Sequence, residues 1–193
     1  MAANLIPSMT NDQIVFYSTL LALLALVALV AAIALLVYRV VRGSAAAGLL
    51  AGKAIWLAWL VALVATVGSL IYSEVIHFEP CRLCWFQRIA MYPLSIVLLV
   101  GAIRREFQVK YYALPMSLIG LGISVYHYLI QTFPSLEGGS CDPANPCSAK
   151  FVNIFDFISI PFMAGCGFIV ISVILAFYVK NPDHSQVQAE TVE

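Results

Sequence analysis

Five cysteines punctuate the chain, at Cys81, Cys84, Cys141, Cys147 and Cys166. The first four fall in two close pairs. Cys81 and Cys84 form a C-x-x-C inside "EPCRLCWFQRIAMYPL", and Cys141 and Cys147 bracket "CDPANPC". A free thiol, with a pKa of about 8.5, is only slightly ionised at neutral pH, and a helix N-terminus or a cation beside it raises the thiolate fraction. The thiolate is the species that attacks a disulfide or gives electrons to an oxidant. Cys84 stands where an apolar helix is expected to begin, so the unpaired N–H groups there favour its anion. Arg88 follows one turn later on the same face. In the second pair two prolines and an asparagine favour a turn that brings the sulfurs together, in a loop that another protein's thiol can reach. The plainer alternative is two structural staples, with Arg88 reaching for lipid headgroups.

Other reactive side chains carry less. His127, in "VYHYLIQ", reads alone as a packing residue and, beside a redox site, as a proton carrier. His77 lies near the first pair, and His184 lies in the polar tail. Cys166 reads as a small buried core residue. Trp85, Phe86 and Tyr92 sit at interfacial depth, where aromatics collect in any membrane protein, and they could also wall a planar ligand. Pro93 is expected to kink its helix and free a carbonyl. A c-type haem needs C-x-x-C-H, but Trp85 follows Cys84. A four-thiolate zinc site competes, and it needs all four paired cysteines at one metal.

These residues must be positioned by a membrane bundle. The 193 residues are 62% hydrophobic and 10% charged, against about 25% charged in a soluble domain. Five runs are long enough to cross a bilayer: roughly Ile14 to Tyr38, Ala54 to Ile76, Trp85 to Ile103, Tyr111 to Ile130, and Ile158 to Val179. Residues before Ile14 carry Asp12 and no base, so the first run reads as a retained helix and not a signal peptide. Arg39, Arg42, Lys53, Arg104, Arg105, Lys110 and Lys180 all face one side of such a bundle. By the positive-inside rule that side is the cytoplasm. The N-terminus and both cysteine pairs then lie outside, where disulfides persist. Two pairs on one face, one in a loop and one beside a cation, suit a relay better than two staples. The formal net charge of +0 gives no sign of a nucleic-acid partner. Gly48 and Gly52 make a weak G-x-x-x-G packing signal. "FVNIFDFISIPF" reads as an interfacial segment leading into the last span.

"PCRLCWFQRIAMYPL" resembles the signature of the DsbB/BdbC group of disulfide-bond formation proteins, and "YHYLIQ" and "ISIPF" also resemble it. The resemblance spans about Ala54 to Val179. It implies an all-α, four-helix redox bundle over 54–180; the residues outside it read as an N-terminal tail, an additional transmembrane helix and a cytoplasmic loop in 1–53 and as a polar, disordered cytoplasmic tail in 181–193. It implies a multi-pass enzyme of the bacterial cytoplasmic membrane, in the lipid bilayer, that reoxidises a DsbA-like thioredoxin-fold oxidase and passes electrons to a quinone, ubiquinone or menaquinone. By position, Cys81 and Cys84 match the quinone-coupled pair, with Cys84 nearest the ring. Arg88 matches the arginine that binds and polarises the ring, with Gln87 and His127 as further quinone-binding positions. Cys141 and Cys147 match the pair that exchanges with the soluble partner, Cys141 forming the mixed disulfide. The chain departs from the group's pattern in its first helix and in the short spacing of the second pair, which looks more like the BdbC branch. A vitamin-K-epoxide-reductase-like oxidoreductase and a zinc- or disulfide-stapled subunit without turnover are the alternatives.

Overall fold

The structure, a computed structural model, describes residues 9–43, 49–50, 52–139 and 141–179. It is all-helical, with five helices long and apolar enough to cross a membrane. They are α1 (Asn11–Arg42), α2 (Ala54–Leu70), α3 (Arg82–Arg104), α4 (Lys110–Thr132) and α5 (Ile160–Phe177). Each expected span corresponds to one of them, with ends shifted by a few residues. The polar tail from 181 onward lies outside the described residues.

Local chemistry sets the helix ends. Thr10 opens α1 with a capping box, its backbone N–H donating to Gln13 Oε1 at 2.9 Å and its hydroxyl accepting from the Gln13 N–H at 3.4 Å. Asp12 in the first turn and Arg39 and Arg42 in the last complement the helix dipole. Gly43, at φ 58°, ends the helix. Of the two G-x-x-x-G glycines, Gly48 lies outside the described residues. Gly52, at φ 73°, serves a turn ahead of α2 instead of a helix face. α2 widens at its end into one π-helical turn, Ile71–Val75. α3 runs through Pro93 as one continuous helix. Residues 151–159 are not helical. Ile154 and Ile158 exchange backbone hydrogen bonds across a tight reversal at Phe155 and Asp156, both at positive φ.

Neighbouring helices pack as α2 on α3, α3 on α4 and α4 on α5, with α5 also touching α2 and α1. α5 is therefore the central post, and Phe168, Ile171 and Leu175 on it are fully buried. In lipid, apolar burial alone does little to join helices, so small residues and interhelical hydrogen bonds carry the packing. Ser117 donates to the Phe168 carbonyl at 3.0 Å and meets Ser172 Oγ at 3.0 Å. Gly120 lies directly under the Phe168 ring, where any Cβ would collide with it. The outward face of α3 carries Ile89, Ile96 and Ile103 seven residues apart, all exposed, as a lipid-facing stripe requires.

Candidate functional site

Both cysteine pairs lie at one end of the bundle. Cys81, Cys141 and Cys147 share one buried cluster with Leu83 and Ile130, and Cys84 packs against it. Cys141 and Cys147 are joined as a disulfide, whereas Cys81 and Cys84 are free thiols with their sulfurs 2.9 Å apart.

α3 begins at Arg82, three residues before the expected Trp85, and this moves the helix cap. Cys81 is the N-cap residue, in extended backbone, and its sulfur accepts from the Cys84 N–H at 3.4 Å. The sulfur favoured by the helix start is thus Cys81, where the sequence pointed to Cys84. Hydrogen bonding from the Cys84 thiol holds the Cys81 thiol below its ordinary range. The His127 ring adds to this against the opposing effect of burial. A group lowered in this way keeps its anion above the lowered value and loses it as pH falls through that value. In the reduced protein, ultraviolet thiolate absorbance should therefore persist well below about pH 8.5, where an ordinary thiol is half protonated. His127→Phe should move the loss to higher pH. Loss at the ordinary thiol pH in the unmutated chain would contradict this arrangement.

His127, fully buried on α4, joins the two pairs. Its Nε2 is 3.1 Å from the Cys147 carbonyl oxygen and 3.6 Å from Cys81 Sγ. A carbonyl only accepts, so Nε2 carries the hydrogen. Nδ1 is buried without a hydrogen-bond partner. Gln131, one turn further along α4, donates to the Ala149 carbonyl at 3.1 Å and fixes the loop beyond Cys147.

The loop is held from the other side by Glu137. Its carboxylate accepts from the Cys147 N–H at 2.7 Å and from the Ser148 hydroxyl at 2.8 Å. Gly138 and Gly139, both at positive φ, reverse the chain so that the carboxylate reaches back over the disulfide. Glu137→Ala leaves a part-buried N–H without its acceptor, at a cost of about 1–3 kcal/mol. Amide exchange over 141–149 should quicken by about tenfold or more, with Glu137→Gln much milder because one oxygen remains. Unchanged exchange in Glu137→Ala would remove Glu137 as the anchor.

On the opposite side of Cys84 lies a cavity of about 310 Å³. Cys84, Gln87, Arg88, Tyr92, Ser69 and Tyr72 line one end of it, and aliphatic side chains from α1 and α2 line the other. Cys81 and His127 are not among its lining residues. Arg88 donates to the Ser69 carbonyl at 3.1 Å and stands 5.4 Å from the Trp85 ring centroid. Tyr92 donates to Ser69 Oγ at 3.2 Å. Gln87 is buried and donates its amide to Ser124 Oγ at 3.1 Å, which ties α3 to α4 behind the cysteine. Of the expected quinone-binding residues, Arg88 and Gln87 reach this cavity, and His127 stands on the loop side.

The four paired cysteines do not form one metal site. Cys81 and Cys84 group with His127, while Cys141 and Cys147 group with Glu137 and are closed on each other. Cys166, on α5, is buried and free, as a core residue would be. Glu137, Ser69 and the π turn were not singled out from the sequence. The signal available for Glu137 was a lone carboxylate ahead of Gly-Gly in the cysteine loop.

The family model for disulfide bond formation protein DsbB matches residues 51–179. A probable disulfide formation protein C 1 of Bacillus anthracis is 42% identical over 130 residues, 66% of this chain and 93% of its own. A probable disulfide formation protein of Oceanobacillus iheyensis is 47% identical over 126 residues, 64% of this chain and 87% of its own. The disulfide bond formation protein C of Bacillus subtilis (strain 168) is 45% identical over 122 residues, 63% and 88% of the two chains. No solved structure matches the chain.

Proposed function

The chain belongs to the DsbB family of disulfide bond formation proteins, and on that footing we propose that it oxidises the dithiol of an extracytoplasmic, DsbA-like thioredoxin-fold oxidase and delivers the electrons to a membrane quinone, ubiquinone or menaquinone. The observation that carries this reading is the division of labour within one C-x-x-C. Cys81 faces His127 and the loop disulfide, and Cys84 faces the cavity.

Electrons then have a directed route. A partner thiolate attacks the Cys141–Cys147 disulfide, forming a mixed disulfide and releasing one loop sulfur as a thiolate. The partner's second thiol displaces the mixed bond, so the partner leaves oxidised and the loop holds two thiols. A loop thiolate next attacks Cys81 in the oxidised inner pair, and Cys84 leaves as the thiolate on the cavity side. Closure of the loop disulfide completes the transfer and leaves Cys81 and Cys84 reduced. His127 donates to the Cys147 carbonyl and holds this part of the loop over Cys81. The same N–H stabilises charge on the Cys81 sulfur. Loss of a hydrogen bond to a charged group costs about 1.5–3 kcal/mol, so His127→Phe should slow exchange between the pairs by about ten- to a hundredfold. Peptide mapping of the two pairs after rapid quenching measures this, and an unchanged rate would exclude the role.

The cavity suits a quinone by its chemistry. A planar ring with two carbonyls needs donors at its edge, and Arg88, which spends one N–H on Ser69, has others to supply close to Cys84. An apolar tail needs an aliphatic channel, and the α1–α2 end supplies it. A bound quinone supplies a two-electron, two-proton acceptor, which balances the two electrons and two protons released when a dithiol closes. Arg88 places positive charge at the ring end, as an oxyanion donor does. Trp85 covers the guanidinium from outside.

Orientation follows from charge. Arg39, Arg42, Lys53, Arg104, Arg105 and Lys110 lie at helix ends away from the cysteines, against Arg82, Arg88 and Lys150 near them, and this excess supports both pairs facing outward from the bacterial cytoplasmic membrane, with the N-terminus outside and the C-terminus in the cytoplasm. The test is to mix the purified protein with a reduced thioredoxin-fold dithiol protein and a quinone. Quinone absorbance should bleach in step with disulfide formation in the partner. Partner oxidation without bleaching, or no oxidation at all, would overturn the reading.

A further inference from the structure

The first helix lies outside the family match, which begins at residue 51, yet it is built into the site. One face of α1, with Ser18, Ala22 and Ala32 fully buried, packs along α5. A neighbouring stripe, Leu21, Leu24, Ala25 and Ala28, lines the cavity that reaches Cys84. Their spacing of three and four residues places all four on one helix face.

Hydrogen bonds pin this face at both ends. At the outer end Tyr17 donates to the Gly68 carbonyl at 3.2 Å, and Tyr72, in the π turn, donates to Ser18 Oγ at 3.1 Å. Gly68 eases the approach, because a Cβ there would stand 3.2 Å from Leu21 Cδ1 and 3.4 Å from the Tyr17 hydroxyl. At the other end Tyr178 donates to the Leu35 carbonyl. Between these pins α1 packs against α5, and the space between it and α2 is the aliphatic part of the cavity. Ala25 and Ala28, small and half-buried, set its width.

We propose that α1 is a specificity element for the electron acceptor: its Leu21–Leu24–Ala25–Ala28 face forms the wall against which the acceptor's apolar tail is seated, and the small residues at 25 and 28 admit a long tail. The inference rests on the quinone reading above and adds a role for a helix that the family match does not cover.

The test uses the purified full-length oxidised protein and two probes, a benzoquinone with a long isoprenoid tail and the same ring without one. Binding is read from quenching of tryptophan fluorescence, since Trp85 stands beside Arg88 at the ring end of the cavity. Turnover with a dithiol donor is read in parallel. A phenyl ring at this wall fills the room a tail would occupy, so Ala28→Phe should weaken binding of the tailed quinone and raise its KM by about tenfold, leaving the tail-less ring unchanged. Val27→Phe, one residue away at a position 67% exposed towards lipid, should leave both probes unchanged. Ala25→Leu, a smaller step on the same face, should move the same readouts in the same direction even where Ala28→Phe fails to fold. Equal effects of the wall variants on both probes, or no effect on either, would overturn the role of α1 and leave the quinone reading standing. A wild-type chain that neither binds nor reduces either probe would overturn both.

Discussion

Cys84→Ser should abolish acceptor-coupled turnover, by on the order of a thousandfold or more, because it removes a sulfur whose loss no neighbour can make good. Cys84 is the cysteine that lines the cavity, and Cys81 is not. Serine is close in size and Cys84 closes no structural staple here, so the bundle should be retained. The variant should also trap an intermediate. Cys81, left without its pair, sits in one buried cluster with Cys141 and Cys147. Its thiolate should open the loop disulfide and remain bonded to a loop cysteine, an outcome visible by peptide mass under non-reducing conditions. Cys81→Ser should lose turnover equally but give little of this linkage, since Cys84 only borders the cluster that Cys81 shares with the loop disulfide and also lines the cavity. Turnover near wild type in Cys84→Ser, or the same linkage formed as readily from Cys84 in Cys81→Ser, would contradict the division between the two sulfurs.

Arg88→Ala carries the second large effect. The guanidinium lines the cavity and is held in place by the Ser69 carbonyl and the Trp85 ring. Removing a positioned donor of this kind typically costs about 2.7–4 kcal/mol, so kcat/KM for the quinone should fall by about a hundredfold or more. Exchange between the loop pair and the inner pair should fall much less, because there Arg88 acts only through its charge beside the leaving Cys84 sulfur. Arg88→Lys should be intermediate, keeping the charge but losing the planar fork that bonds Ser69 and stacks on Trp85. Quinone kinetics unchanged in Arg88→Ala would remove the arginine from the acceptor site.

The spans and the two pairs were legible because apolar runs and C-x-x-C spacing are local signals. The Ile14–Tyr38 run carries no charge over its whole length and could be nothing but a membrane-length helix. The cap was less legible. A start of α3 near Trp85 puts Cys84 at the helix start, whereas the start at Arg82 makes Cys81 the N-cap, so a three-residue shift is enough to move the cap from one sulfur to the other. His127 was visible as a candidate, but its side of the site was not, since that depends on a loop carbonyl twenty residues later in the chain. Contacts between distant elements were silent in the sequence. Tyr17 and Gly68 are 51 residues apart, and neither carries a pattern that announces the other. The π turn at Ile71–Val75 was likewise silent; within it Tyr72 meets Ser18 and Tyr17, and such turns often mark working sites.

The most direct test of the central claim is an end-point thiol count. The fully reduced chain, with its five cysteines as thiols, is mixed without oxygen with an excess of quinone and then unfolded in acid for titration. Two dithiols should close and two quinones should be reduced per chain, leaving Cys166 as the one thiol that still reacts. A chain that still shows all five thiols, with the quinone absorbance unchanged, would contradict the account.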